Sequence, residues 1–414
     1  MSEPTKSLRH LPGDREFIAM MAATMALNAL AIDSMLPAFP AIASRLNVVP
    51  FNNVQAIIGI YLIGVGVGSL FYGPLSDRFG RRPVLLSAIC AYAACSIGAS
   101  MAGSFEILLF MRFCHGLAGA SLGVMVVSII RDLYSGDAMA RRMSTIFLVF
   151  MLVPVLAPTM GQTVLLFAGW RTIFDVMAAM ALLMALWIYR RLPETLHPDN
   201  IIPIEHRAIA ATWRDVVLHR QAAGYTVGSA IVQGALFGFL NSSQQIFERV
   251  FNARDFFPIG FAIVGGGLAV SNFTNSRVVE RFGARRVSHT ALFLFILFAT
   301  CQTLASHYAH DSLPLFLGLL TVNMAMMGFI GSNFSSIAMT PFGDKAGAAS
   351  SFQMFVRSIL AAVIGASIGH QFNGTVVPMA LGFLMCGLIS LALVYWCERG
   401  KLFTRPGTAR RAPL

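Results

Sequence analysis

Charge is what this sequence has least of. Only 12% of its 414 residues are Asp, Glu, Lys or Arg, about half the ~25% usual in a soluble domain. Hydrophobic residues make up 56% and the mean hydropathy is +0.70. The runs Ile57–Tyr72 and Val84–Phe105 contain no charge at all, which excludes an ordinary water-soluble globule and places the chain in a bilayer. Paired cysteines are also missing. Cys90, Cys95, Cys114, Cys301, Cys386 and Cys397 all fall in apolar runs without zinc-ligand spacing, so free buried thiols are expected. There is no Walker-type loop to hold a nucleotide. No cofactor, no metal and no enzymatic activity are therefore expected, and any uphill transport has to draw on an ion gradient.

At roughly 20 residues per crossing, a chain of this length holds about twelve spans. They are expected near 17–38, 53–75, 84–103, 106–130, 143–165, 170–189, 222–246, 256–276, 287–306, 313–337, 346–371 and 376–397. The run 17–38 follows a basic leader, yet it is longer than a signal-peptide core and carries Asp33, so it reads as the first span. With the N-terminus inside, only Arg45, Arg171, Arg249 and Arg254 fall outside and only Arg112 and Arg357 within spans; every other Lys and Arg is cytoplasmic. That asymmetry obeys the positive-inside rule with both termini cytoplasmic. The net charge of +11 is thus topological, and nucleic-acid binding is not expected.

The organising stretch is Gly73-Pro74-Leu75-Ser76-Asp77-Arg78-Phe79-Gly80-Arg81-Arg82-Pro83, a short basic segment between two membrane-length runs. It reads as a cytoplasmic hairpin loop. It returns as Glu280-Arg281-Phe282-Gly283-Ala284-Arg285-Arg286, offset by 203 residues, about half the chain. Such a repeat implies two similar membrane halves. The expected division is a leader 1–16, a six-helix bundle 17–189, a linker 190–221 with a candidate amphipathic helix around Trp213, a second bundle 222–397 and a basic tail 398–414. Small residues at Gly64/Gly68, Gly119/Gly123 and Gly365/Gly369 have the spacing of close helix contacts.

These residues resemble a known family. The stretch Gly73–Pro83 is similar to the signature loop between helices two and three of the major facilitator superfamily. More narrowly, Asp33-Ser34-Met35-Leu36-Pro37 and Arg112 followed by His115-Gly116-Leu117-Ala118-Gly119-Ala120 resemble the bicyclomycin and chloramphenicol/florfenicol drug:proton antiporters. The helix-five motif of such antiporters is only partly kept: Pro158 and Gly161 match, Pro154 is extra, and Gln162 stands where a glycine is usual. The resemblance implies an all-α fold of two pseudo-symmetric six-helix bundles working by alternating access. It also implies that Asp77 faces the start of helix eleven, near Asp344 to Ser350, as a latch with Gly73, Arg78, Gly80, Glu280 and Arg281. Arg81 and Arg82 are read as enforcing topology.

Ionisable groups inside spans are costly and therefore candidate functional residues. Asp33 and Arg112 lie at similar depth in the outer half, so they are candidate partners in proton coupling. Arg357, about mid-membrane, has no carboxylate at its depth in its own half and becomes a candidate substrate contact. Asn28, Met35, Arg112, His115, Asn241, Gln244 and Asn323 are candidates for the cavity lining. The expected partners are a small-molecule substrate, protons and the lipid bilayer, with the protein acting as a single chain in a bacterial inner membrane. Three functions remain open: proton-coupled export of small amphiphilic toxic compounds, uptake of a metabolite on the same scaffold, and a membrane receptor or scaffold.

Overall fold

The computed structural model describes residues 12–403 apart from 135, 151–152, 199–200, 202–204 and 309–311. Most of the expected leader 1–16 and of the tail 398–414 lies outside the described residues, as do the side chains of Pro154 and Asp344.

Among the described residues there is no strand. In chain order the helices are α1 (Asp14–Asp33), α2 (Phe39–Arg45), α3 (Ala56–Phe79), α4 (Arg81–Ser100), α5 (Phe105–Leu133), α6 (Gly136–Phe150), α7 (Val153–Phe167), α8 (Trp170–Arg191), α9 (His206–Leu218), α10 (Arg220–Gln245), α11 (Phe257–Phe282), α12 (Ala284–Tyr308), α13 (Leu313–Met339), α14 (Ala346–His370) and α15 (Val377–Cys397). Among the described residues eleven segments are long and apolar enough to cross a bilayer. The fifth crossing position is filled by α6 and α7 in succession, each 15 residues. The protein is thus a multi-pass membrane protein. The start of α1 and the end of α15 lie on the same face, called the termini face.

The packing falls into two sets. In the first, α3 packs on α5, α4 on α5 and α8, and α1 on α5, α6, α7 and α8; in the second, α10 packs on α13, α14 and α15, α12 on α13 and α15, and α11 on α13. Contacts of α3 with α14 and of α7 with α11 join the sets.

Glycine explains the closest of these contacts. A Cβ at Gly116 would stand 2.0 Å from the Tyr61 carbonyl oxygen, and one at Gly64 2.2 Å from that of Phe113. The two backbones touch where no side chain fits, so packing replaces the hydrophobic drive that lipid removes. Gly365 does the same against Phe237, whereas Gly369 makes room for the Gln55 side chain, whose Oε1 would stand 2.0 Å from a Cβ there. Gly123 does neither, since nothing lies within 4 Å of a Cβ there.

One expectation needs correction. The stretch 73–83 is helical except at a single residue: α3 runs through Pro74 to Phe79, Gly80 takes φ 95°, and α4 begins at Arg81. A glycine in that conformation ends one helix and turns the chain into the next at little cost. The connection after α8 holds α9, whose buried Thr212 and Val216 and whose Trp213, stacked on Phe352 at 5.9 Å, attach it to the start of α14. Asp215 bonds Lys345 at 3.0 Å. The candidate helix is thus present, with one face packed on protein.

Candidate transport sites

The first site forms where α1 ends. The last carbonyls of a helix have no intrahelical partner, and Arg112 on α5 exploits this: its Nη2 donates to the Ala31 carbonyl at 2.9 Å. Its Nε donates to the Ile57 carbonyl at 3.3 Å, and Nη1 lies 3.1 Å from His115 Nδ1. The Tyr61 ring sits 4.3 Å from the guanidinium carbon, within cation–π range. Tyr61 in turn donates to Asn28 Oδ1. Arg112 and His115 are wholly buried. With the arginine as donor, His115 carries its proton on Nε2, which has no partner. The histidine ring packs against Tyr92, centroids 4.0 Å apart.

Arg112 is therefore fully engaged without Asp33, and the expected pair does not form. Asp33, the last residue of α1, is 5% exposed and has no hydrogen bond or ion pair among the described residues. Next to it, a Cβ at Gly161 would lie 2.1 Å from the Ser34 carbonyl oxygen. Gly161 thus lets α7 close directly over the end of α1. Pro158 lies within the same helix.

The second site is a cavity of about 570 Å³ lined by α10, α11, α13 and α14, with Phe147 of α6 as its wall from the first set. Gln233 and Arg357 stand midway along their helices, and the lining extends to Met339, where α13 ends. Arg357 Nε and Nη2 both donate to Gln233 Oε1, at 3.0 and 2.7 Å. Asn272 also lines the cavity, but its amide is spent on the Leu268 carbonyl and on Ser332.

Other expected lining residues sit elsewhere. Met35 is fully buried in the core. Asn323 is buried between α12 and α13, donating to Gln302 Oε1 at 3.0 Å. Asn241 is closed in by the approach of Gly369. Gln244 bonds Glu248 and borders a separate recess of about 240 Å³ with Gln162, Arg254 and Asp255 at the opposite face. Near there, Asn52 and Gln55 donate to the carbonyls of His370 and Gly369, at 2.9 and 3.1 Å, tying α14 to the start of α3.

The third site is the Gly80 turn. Arg81 is buried and bridges helices: Nη1 meets Asp77 at 2.5 Å and Ser76 Oγ at 2.6 Å, and Nε meets Asp132 at the end of α5 at 2.8 Å. Glu194, just beyond α8, accepts the backbone N–H groups of Arg81 and Arg82 at 2.8 and 3.1 Å. Arg81 is thus structural glue, not only a topology signal. Asp77 turns to Arg81 and makes no bond to α14, although Gly73 lies 3.4 Å from Ser351 by its would-be Cβ. Arg78 is exposed beside Phe79. Arg82 donates to the Tyr189 carbonyl.

In the repeat, Glu280 and Arg281 are exposed, without an ion pair among the described residues, and Arg285 meets Glu398 at 3.1 Å. The sequence reading missed Tyr61, Asp132, Glu194, Gln233 and Glu398. A glutamine in an otherwise uncharged run was signal enough for Gln233; the others are joined to their partners only by folding.

Two runs have the G-x-S-x-G spacing of a serine nucleophile turn, Gly119–Gly123 and Gly365–Gly369. Neither is such a turn. Both lie inside helices, and Ser121 and Ser367 bond back to the carbonyls of Ala118 and Val363 at 2.8 Å. Among the described residues no cluster could hold a metal ion.

Comparison with known proteins agrees with this architecture. Residues 21–366 match the family model of the Major Facilitator Superfamily. The chain is 29% identical over 396 residues to the bicyclomycin resistance protein homolog of Haemophilus influenzae, covering 94% of this chain and 98% of that protein. It is 26% identical to multidrug resistance protein MdtL of Escherichia fergusonii, covering 93% and 96%. A chloramphenicol resistance protein of Pseudomonas aeruginosa is 25% identical, covering 83% and 81%. The fold is shared with the D-xylose-proton symporter (TM-score 0.69, 14% identity, 93% and 99% covered). It is shared too with the human organic anion transporter MFSD10 (0.64, 18%, 93% and 100%).

Proposed function

The chain belongs to the Major Facilitator Superfamily, and from that premise we propose that it exports small amphiphilic toxic compounds across a bacterial inner membrane by proton antiport, as a single chain with both termini in the cytoplasm. The relatives named for drug resistance along nearly their whole lengths support the direction. The observation that carries the coupling is Asp33, a buried carboxylate at the end of α1 without a partner among the described residues. An unpaired charge is costly in a dry site and harmless in water. Proton occupancy at Asp33 then depends on which face the site opens to, and that dependence is what couples a proton to alternating access. Arg112, held by carbonyls and Tyr61, fixes the helix end that carries Asp33.

The 73–83 turn supplies the conformational bias. With Asp77 bound to Arg81, the latch to α14 is disengaged, and its formation in another state favours that state by the difference in contact energy alone.

Expression in an efflux-deficient bacterium tests the reading. Resistance to at least one amphiphilic drug should rise and should vanish in Asp33→Asn at equal expression. Gradient-driven accumulation directed into whole cells would instead support an uptake symporter.

A further inference from the structure

We infer that the Arg357–Gln233 pair is a hydrogen-bond donor plate that selects acceptor-rich neutral or anionic substrates over organic cations. This deepens the export reading and rests on it only for the direction of transport.

The geometry of the pair decides its chemistry. Two guanidinium N–H groups converge on one oxygen of Gln233, which fixes the amide so that its NH₂ faces away from the arginine. Arg357 Nη1 has no partner among the described residues. The plate therefore offers the cavity a guanidinium edge and an amide NH₂, both donors only. Ser229, 2% exposed and also lining the cavity, has an unpartnered hydroxyl. Among the described residues no Asp or Glu lines this cavity, so none of them balances the positive charge of Arg357 there. A ligand has to bring the acceptors: carbonyl, nitro, carboxylate or clustered hydroxyl oxygens. Phe147, Leu236 and Met327 leave room for an apolar body beside them, and methionine adapts to varied shapes. A cation gains nothing from the donors and meets a fixed like charge in a weakly screening site.

Equilibrium binding to the purified full-length chain, with no gradient applied, tests this. The probes are chloramphenicol, neutral and rich in acceptors, and tetraphenylphosphonium, a cation without acceptors. Wild type should bind the first more tightly. Arg357→Gln should weaken chloramphenicol about 10- to 100-fold, the range of one or two charge-assisted hydrogen bonds, and leave the cation unchanged or tighter. Arg357→Lys, which keeps the charge and loses the planar fork, should fall between. Gln233→Leu, which frees the guanidinium but removes the amide donor, should shift only the neutral probe. Equal losses for both probes in the variants that fold, no loss for either, or wild-type binding that favours the cation or neglects both probes would each overturn the inference. Because binding needs no proton, a failure of Asp33-dependent export leaves this result standing, and the reverse.

Discussion

The two halves of the chain repeat one plan and are held together differently. In the first, α3 and α5 meet backbone to backbone at Gly64 and Gly116. At the matching contact in the second, Gly267 meets the Thr321 side chain and Gly328 meets Ser271 Oγ. The first half's turn is locked by Arg81 against Asp77 and Asp132. The second half replaces Arg81 by alanine and keeps one ion pair, Arg285 with Glu398. The buried membrane charges differ as well: in the first half Arg112 on backbone carbonyls and Asp33 with no partner among the described residues, in the second Arg357 on a glutamine. On the reading proposed above, one scaffold is divided into a rigid proton-handling half and a more adaptable half that lines the cavity.

The helix contact gives the largest expected contrast. Gly116→Leu should cost more than about 3 kcal/mol, because its Cβ collides with backbone that cannot move aside. Gly328→Ala meets a serine hydroxyl that can rotate, so about 1 kcal/mol is expected. Thermal unfolding in one detergent measures both, and equal losses would remove the rigidity difference between the halves.

The turns come next. Arg81→Ala leaves Asp77 and Asp132 facing each other near a buried position, a loss of about 3 kcal/mol. Arg285→Ala should cost less, about 2 kcal/mol, since the buried Glu398 still accepts from Tyr225 at 2.9 Å and Gln221 at 3.1 Å. A larger loss at Arg285 would reverse the comparison.

Asp77→Ala is the mildest in stability, about 0.5 kcal/mol for a partly exposed pair, with its effect expected in state populations. Cysteine labelling at the two cavity mouths should show reduced access from the face opposite the termini. Unchanged labelling on both faces would leave Asp77 with a purely local role.

Much of this was legible in the sequence for a physical reason. Membrane length, positive-inside bias and the 203-residue repeat act over whole segments, so the all-helical architecture could be read residue by residue. Asp33, Arg112 and Arg357 stood out because charge in hydrocarbon is rare. Their partners did not. Matching depth, together with the family resemblance, paired Asp33 with Arg112, whereas the helix end at Ala31 offered the arginine a carbonyl that no sequence pattern announces. Asn323 and Asn241 looked like cavity residues because a carboxamide in a span has to be satisfied somewhere, and helix interfaces satisfy it equally well. The extent of the turn was misjudged because proline and charge suggested a loop, while Gly80 alone was enough to make it.

The division of labour is tested most directly by measuring substrate binding and substrate-driven proton flux on the same reconstituted protein. Asp33→Asn should bring proton flux to background while binding stays within about threefold of wild type, under ~1 kcal/mol. A mutant Asp33→Asn that still moves substrate uphill on a pH gradient, or that loses binding and flux together, would contradict the account.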